Sequence, residues 1–186
     1  MSINRYAARS AAFAAAYLVV AWAAAGPLSM SPVMLPAVAV AALWLLAQSR
    51  FGNHRFDVIM LATASAVAAT LNGAGLLTSL TYAMVAAIPA VLFVMMMSRL
   101  LPGYWLGHGD RFRQRSVVLT RFAAAAALAA VSGVILQKVV DPDALSTAAA
   151  IWMAFRDTAL VMLVIWVSRQ YRLAKEPRRG PLTVVR

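Results

Sequence analysis

Long apolar stretches, separated by short polar segments, are the feature that most restricts how this chain can fold. The last of them, residues 148–167, reads AAAIWMAFRDTALVMLVIWV and has about the length that a helix needs to cross the hydrocarbon core of a bilayer. Inside lipid such a stretch must satisfy its backbone hydrogen bonds internally, which an α-helix does. With 63% hydrophobic and 12% charged residues, the whole chain is far more apolar than a water-soluble domain. We therefore expect an integral membrane protein.

The hydropathy pattern predicts an all-α, polytopic membrane protein built as a bundle of six transmembrane helices. These helices form a single domain over residues 1–168, and residues 169–186 are predicted to be a basic cytoplasmic tail. Between the second and third spans, SRFGNHRFD is predicted to be a polar loop. The first span also fits a secretory signal cleaved near Ala25, because AWAAAG ends in small residues. The predicted spans are residues 10–26, 28–48, 58–71, 76–101, 116–139 and 148–167.

The distribution of positive charge predicts which way the chain is inserted. Six spans divide the connecting segments between two sides, and fifteen of the 17 Lys and Arg residues fall on the side that holds both termini. Lys138 is on the other side, and Arg156 lies within a span. Because cytoplasmic segments carry the excess of positive residues, we expect a protein of the bacterial inner membrane with both termini in the cytoplasm. The lipid bilayer is then its first partner, and the net charge of +11 needs no nucleic acid to explain it.

Residue types needed for common catalytic and cofactor sites are scarce. The chain has no cysteine and two histidines, and both histidines fall in predicted loops instead of at membrane depth, where a membrane cytochrome holds its haem. The sequence has no Gly-x-Ser-x-Gly motif, no phosphate-binding glycine loop and no pair of carboxylates suited to acid–base catalysis. We expect this protein not to be an enzyme and to hold no metal or other cofactor.

Arg156 and Asp157 stand at the midpoint of the last span, and no other predicted span has a carboxylate at that depth. Each charge at the bilayer centre costs roughly 2.5 to 3.5 kcal/mol unless a partner or water offsets it. Neighbours on a helix point about 100° apart, so we expect the two side chains to need separate partners instead of pairing with each other. Arg156 is expected to stack on Trp152, one turn away.

Two interpretations of these charges stay open. They can form a helix-packing device, hydrogen-bonded to backbone and hydroxyl groups, or a site for a ligand, an ion or a signalling contact. Asn72, in a turn after the third span, is a candidate partner, and Pro36 is expected to kink the second span and leave a backbone carbonyl available. The candidate ligand-binding residues are therefore Arg156, Asp157, Trp152, Pro36 and Asn72.

The order of these features resembles MASE1, the integral membrane sensory domain found upstream of bacterial diguanylate cyclases and histidine kinases. MLPAVAVAALWLLAQSRF resembles the family's W-P-P-A-G-containing helix and the basic turn after it, with Pro36 and Ala37 matching. IWMAFRDTALVMLVIWV resembles the late W-x-x-W-x-x-D-x-x-G segment, with Trp152 and Asp157 matching. The resemblance covers about residues 28–167. The sequence departs from these two motifs at Met34, Val38, Phe155 and Leu160.

The resemblance implies a sensory or ligand-binding module that signals through a membrane or cytoplasmic partner, or through an output domain outside this chain. A second membrane class also fits six helices in 19.9 kDa, namely the substrate-binding subunit of an energy-coupling-factor vitamin transporter. The alanine-rich face of the first span suits docking to a transport partner. Such subunits usually have glycine-rich and proline-rich binding loops, whereas the outer loops here are short.

Overall fold

All regular secondary structure in the described part of the chain is helical. The structure, a computed structural model, describes residues 3–25, 37–49, 54–106, 114–142 and 146–175. Each of the six predicted spans contains or overlaps one α-helix, so the all-α prediction is confirmed for these residues. The helices are α1 (Ile3–Ala25), α2 (Ala37–Gln48), α3 (His54–Leu71), α4 (Leu76–Leu100), α5 (Arg115–Val140) and α6 (Thr147–Lys175), with a short 3₁₀ turn at Tyr104–Leu106.

Four of the six helices are long and apolar enough to cross a membrane: α1, α4, α5 and α6. The apolar helix α2 has 12 described residues, which is too short to span, and α3 carries Arg55 and Asp57 in its first turn. The chain is therefore a helical protein with four helices of membrane-spanning character. That α2 and α3 also cross the membrane stays a prediction.

Polar contacts between the first three helices fix their directions. The Tyr6 hydroxyl bonds to Asp57 and the Tyr17 hydroxyl to Ser65, so α1 and α3 run side by side in the same direction. Gln48, at the end of α2, donates to a residue near the start of α1, so α2 runs the opposite way. Further along the chain, Arg121 near the start of α5 donates to a carbonyl at the end of α4. Successive helices thus alternate in direction.

This alternation gives the bundle two different ends. One, which we call the basic end, holds the starts of α1, α3 and α5 and the ends of α2, α4 and α6; the other we call the far end. Apart from the partly buried Arg156 on α6, Lys138 is the one Lys or Arg that the described residues place at the far end. The basic end has the larger set: Arg5, Arg9, Arg55, Arg99, Arg115, Arg121, Arg169, Arg172 and Lys175.

Small residues bring α5 close to its neighbours. Ala125, Ala126 and Ala129 are completely buried. Gly133 lies so near α4 that a Cβ added to it would sit 3.3 Å from Cγ of Pro89, which is itself buried within that helix. Backbones can approach this closely only where the side chains between them are small.

The last helix continues beyond the predicted span. Helix α6 runs to Lys175, so the first residues of the predicted tail are helical, and residues 176–186 lie outside the described residues. Its Arg169 is buried, donates from Nε to the Tyr104 carbonyl oxygen at 2.8 Å, and holds its guanidinium carbon 4.3 Å from the centre of the Tyr104 ring. These contacts fix the 3₁₀ turn after α4 against the end of α6.

Candidate ligand-binding cavity

A cavity of about 630 Å³ lies at the far end of the bundle, and residues from all six helices line it. Its volume falls within the roughly 300 to 1,000 Å³ of typical small-molecule sites. Nine of the 19 lining residues are alanine or valine, from α1 to α4 and the turn between α3 and α4. Arg156 and Asp157 enter it from α6, together with Met153 one turn earlier. The two charges of the last span therefore border a space large enough for a ligand.

Arg156 and Asp157 pair with each other. The guanidinium donates from Nε at 2.9 Å and from Nη2 at 2.8 Å, and both bonds end on the same carboxylate oxygen, Oδ1 of Asp157. The prediction that the two need separate partners is wrong. Their Cα–Cβ bonds do diverge around the helix, but the long Arg stem carries the guanidinium back round to the neighbouring carboxylate.

The predicted stacking of Arg156 on Trp152 is also wrong. The Trp152 side chain is 60% exposed, it does not line the cavity, and its ring lies 6.3 Å from that of Phe155. Trp152 faces away from the bundle because residues 152 and 157 lie five positions apart, on opposite sides of a helix with 3.6 residues per turn. Asp157, by contrast, is 3% exposed.

Part of the hydrogen-bonding capacity of the pair is unused. Among the residues that the structure describes, Nη1 of Arg156 and Oδ2 of Asp157 form no hydrogen bond. The side chains keep 16% and 5% of their surface exposed, respectively, and both line the cavity. At the border of the cavity, the pair therefore has one donor edge and one acceptor oxygen that bond to no described residue.

Asn72 lies at this cavity, although no hydrogen bond joins it to Arg156 or Asp157 in the described part of the chain. It follows the last turn of α3, where its Nδ2 donates to the Ala68 carbonyl oxygen at 2.8 Å, and it lines the same cavity as Arg156 and Asp157. Pro36 lies outside the described residues; the next residue, Ala37, lines the cavity. Of the five candidate residues, the structure thus brings Arg156, Asp157 and Asn72 together.

Further polar groups line the cavity that the sequence interpretation did not select. Thr78 and Tyr82 come from the first two turns of α4, and Gln137 comes from the last turns of α5. Their side chains form no hydrogen bond within the described segments of the chain. The sequence offered a positional signal for these residues. When successive spans alternate in direction, the start of the fourth span and the end of the fifth lie on the same side of the membrane as Asn72.

A second buried polar cluster was missed altogether. Asp57 is 1% exposed and accepts hydrogen bonds from the Tyr6 hydroxyl at 2.6 Å, the Ser10 hydroxyl at 2.8 Å and Nε1 of Trp44 at 3.1 Å. Gln48 donates in turn to Ser10 at 3.0 Å. The sequence interpretation placed Asp57 in the polar loop before the third span, whereas α3 begins at His54 and includes it.

The surroundings of Asp57 are closed. Its three donors are neutral groups on α1 and α2, no cation pairs with it among the described residues, and it does not line the cavity. A sequence signal existed, because Asp57, Leu61 and Ser65 recur every four residues and so share one face of a helix. This cluster joins α1, α2 and α3 near the basic end.

The described residues offer no metal centre: nowhere in them do three or more His, Asp or Glu side chains come together. No protein-family model, curated protein or solved structure matches this chain. The resemblance to MASE1 accordingly stays a prediction from the sequence motifs, and the chemistry of the cavity has to be argued from its own residues.

Proposed function

We propose that this protein is a membrane-embedded sensory module of MASE1 type that binds a small molecule in the far-end cavity and signals through a partner or an output domain. The observation that carries the proposal is the Arg156–Asp157 pair, which borders a cavity of about 630 Å³ and has hydrogen-bonding groups that bond to no described residue. Charges within a membrane are costly and are usually retained for a function.

The bonding of this pair argues against a helix-packing device. Such a device gains its stabilising effect from bonds that connect one helix to another. In the described part of the chain, the side-chain hydrogen bonds of Arg156 and Asp157 stay within α6. The pair therefore ties no two helices together, although its two charges are costly to bury.

The arrangement of the two ends also supports a sensory role. If the positive-inside rule holds for this chain, the basic end faces the cytoplasm of a bacterium and the cavity lies toward the outer face of the inner membrane. Helix α6 then runs from the cavity residues to Arg169 and Arg172 at the cytoplasmic end. A ligand bound from outside would contact α6, whose last turns lie on the side where a signalling partner is expected.

The test is to purify the protein under mild conditions and identify retained small molecules by mass spectrometry. We expect a retained molecule that is lost in Asp157→Asn, because this change removes the carboxylate and keeps the side-chain size. Trp152→Phe is the matched control on the same helix, since Trp152 is exposed outside the cavity. Equal retention by Asp157→Asn and the wild type would contradict the proposal.

One observation favours the transporter subunit as a second candidate. Helix α1 is little buried, and Ala8, Ala12 and Ala15 form an exposed stripe of small residues along it. Such a face allows close approach of another membrane helix. Purification of intact complexes distinguishes the two functions, because a transporter subunit brings down ATPases and a coupling protein, whereas a sensor brings down a cyclase, a kinase or another signalling protein.

A further inference from the structure

The guanidinium of Arg156 has one edge occupied and one available. Nε and Nη2 lie on the same edge, and both of their bonds go to Oδ1 of Asp157. The end of the group, where Nη1 and Nη2 each carry an N–H pointing outward, is unused among the described residues. Two parallel N–H donors at this spacing match the two oxygens of a carboxylate.

Asp157 supplies the opposite kind of group beside this edge. Its Oδ2 accepts no hydrogen bond from the described residues, and the side chain borders the cavity. A carboxylate oxygen at this depth is best satisfied by a charged donor such as an ammonium group. Because Oδ1 already joins the two side chains, the free donor edge and the free acceptor oxygen are neighbours.

Charge balance restricts the ligand further. The Arg156–Asp157 pair is neutral as a whole, so a ligand that is only an anion or only a cation would add an uncompensated charge to a largely apolar space. Such a charge is strongly disfavoured in surroundings of low dielectric constant. A zwitterion adds no net charge and satisfies both unused groups at once.

We propose that the ligand is a zwitterion with adjacent carboxylate and ammonium groups and an apolar body, which is the chemistry of an apolar amino acid. Its carboxylate binds the Nη1–Nη2 edge of Arg156, and its ammonium group binds Oδ2 of Asp157. Its body lies against alanine and valine side chains of the lining, such as Ala68, Val85 and Ala86. This inference rests on the proposed function, since it specifies the ligand of the same cavity.

Three probes with the same phenyl ring test the inference: L-phenylalanine, 3-phenylpropionate, which lacks the ammonium group, and 2-phenylethylamine, which lacks the carboxylate. Binding is measured by saturation-transfer NMR or calorimetry on the intact purified protein. We expect phenylalanine to bind at least about tenfold more tightly than either single-charge probe, which corresponds to about 1.4 kcal/mol. Binding of either single-charge probe as tight as that of phenylalanine, or no binding of phenylalanine at millimolar concentration, overturns the zwitterion.

Variants assign the two contacts. Arg156→Gln should reduce the affinity for phenylalanine to that for phenylethylamine, because the carboxylate loses its partner. Asp157→Asn should reduce the affinity for phenylalanine to that for phenylpropionate, because the ammonium group of the ligand loses its partner. Trp152→Phe should leave all three affinities unchanged, and an equal loss in this control would overturn the assignment.

Failure of this inference is distinguishable from failure of the proposed function. A retained molecule of another chemical class that disappears in Asp157→Asn overturns the zwitterion and leaves the cavity as a ligand site. The absence of any retained molecule, together with no binding of the three probes, overturns both.

Discussion

Two buried carboxylates, Asp57 on α3 and Asp157 on α6, are held in opposite ways. Asp57 accepts hydrogen bonds from three neutral donors on two other helices, so its cluster is closed and joins three elements of the bundle. Asp157 is bonded only by its neighbour Arg156 among the described residues, and the pair borders a cavity. From this comparison we infer that Asp57 stabilises the fold, and our proposal assigns Asp157 to ligand binding.

The largest expected effect on stability is that of Asp57→Ala. Removing the carboxylate leaves three buried donors without their acceptor, and hydrogen bonds to charged groups contribute about 1.5 to 3 kcal/mol each. We expect a loss of about 3 kcal/mol or more in the free energy of unfolding, measured by thermal or denaturant unfolding in detergent. Asp157→Ala is the matched change and should destabilise less, because the Arg156 side chain is 16% exposed and its guanidinium can be solvated at the cavity. A larger loss from Asp157→Ala would reverse the comparison.

Arg156→Gln is expected to rank second. It leaves Asp157 as a buried charge without its cation, and breaking a buried pair in this way costs about 3 to 5 kcal/mol. Because the site borders a cavity, we expect a loss of about 3 kcal/mol or slightly less in the free energy of unfolding. The double change Arg156→Gln with Asp157→Asn should regain part of the loss, since no charge is left unpaired. Additive losses in this double-mutant cycle would show that the two side chains do not interact.

Trp44→Phe probes a single bond of the Asp57 cluster. The change removes the Nε1 donor 3.1 Å from Oδ1 of Asp57 and keeps an aromatic ring beside Phe13. We expect a loss of about 1 to 2 kcal/mol in unfolding free energy. Trp152→Phe is the control, because its exposed indole bonds to no described residue, and it should change stability by less than about 0.5 kcal/mol.

Tyr17→Phe is expected to have the smallest effect. It removes the 2.8 Å bond between the Tyr17 hydroxyl and Ser65, which joins α1 to α3 beside the cavity. The bond is between neutral groups, so the expected loss is about 1 kcal/mol. Ser65→Ala should give a similar value, and the double change should cost little more than either single one. If the loss from the double change equals the sum of the two single losses, the two hydroxyls act separately.

The positions of most helices were predictable, because a run of apolar residues long enough to cross a bilayer is visible in the sequence. The fourth and fifth spans were predicted at residues 76–101 and 116–139, and the structure has Leu76–Leu100 and Arg115–Val140. The predicted third span starts at residue 58, whereas α3 starts at His54. The difference arises because Asp57 is polar, and only its donors on α1 and α2 make its burial favourable. Hydropathy along the chain does not contain that tertiary information.

The site was predictable in part for a related reason. A charge within a span marks Arg156 and Asp157 from the sequence, and a polar residue at a span end marks Asn72. Helical periodicity describes where a Cβ points, but not where a long guanidinium ends, so the pairing of Arg156 with its neighbour was missed. The cavity depends on how six helices pack together, and no stretch of the sequence shows that arrangement.

The most direct test measures two properties of Asp57→Asn and Asp157→Asn side by side: the unfolding temperature, and the amount of retained small molecule per folded protein. We expect Asp57→Asn to lower the unfolding temperature and to keep the retained molecule. With both proteins stripped of ligand, we expect Asp157→Asn to lower the unfolding temperature less than Asp57→Asn does, and to lose the molecule. The opposite pattern, or the same pattern in both variants, would contradict the division between a stabilising carboxylate and a ligand-binding one.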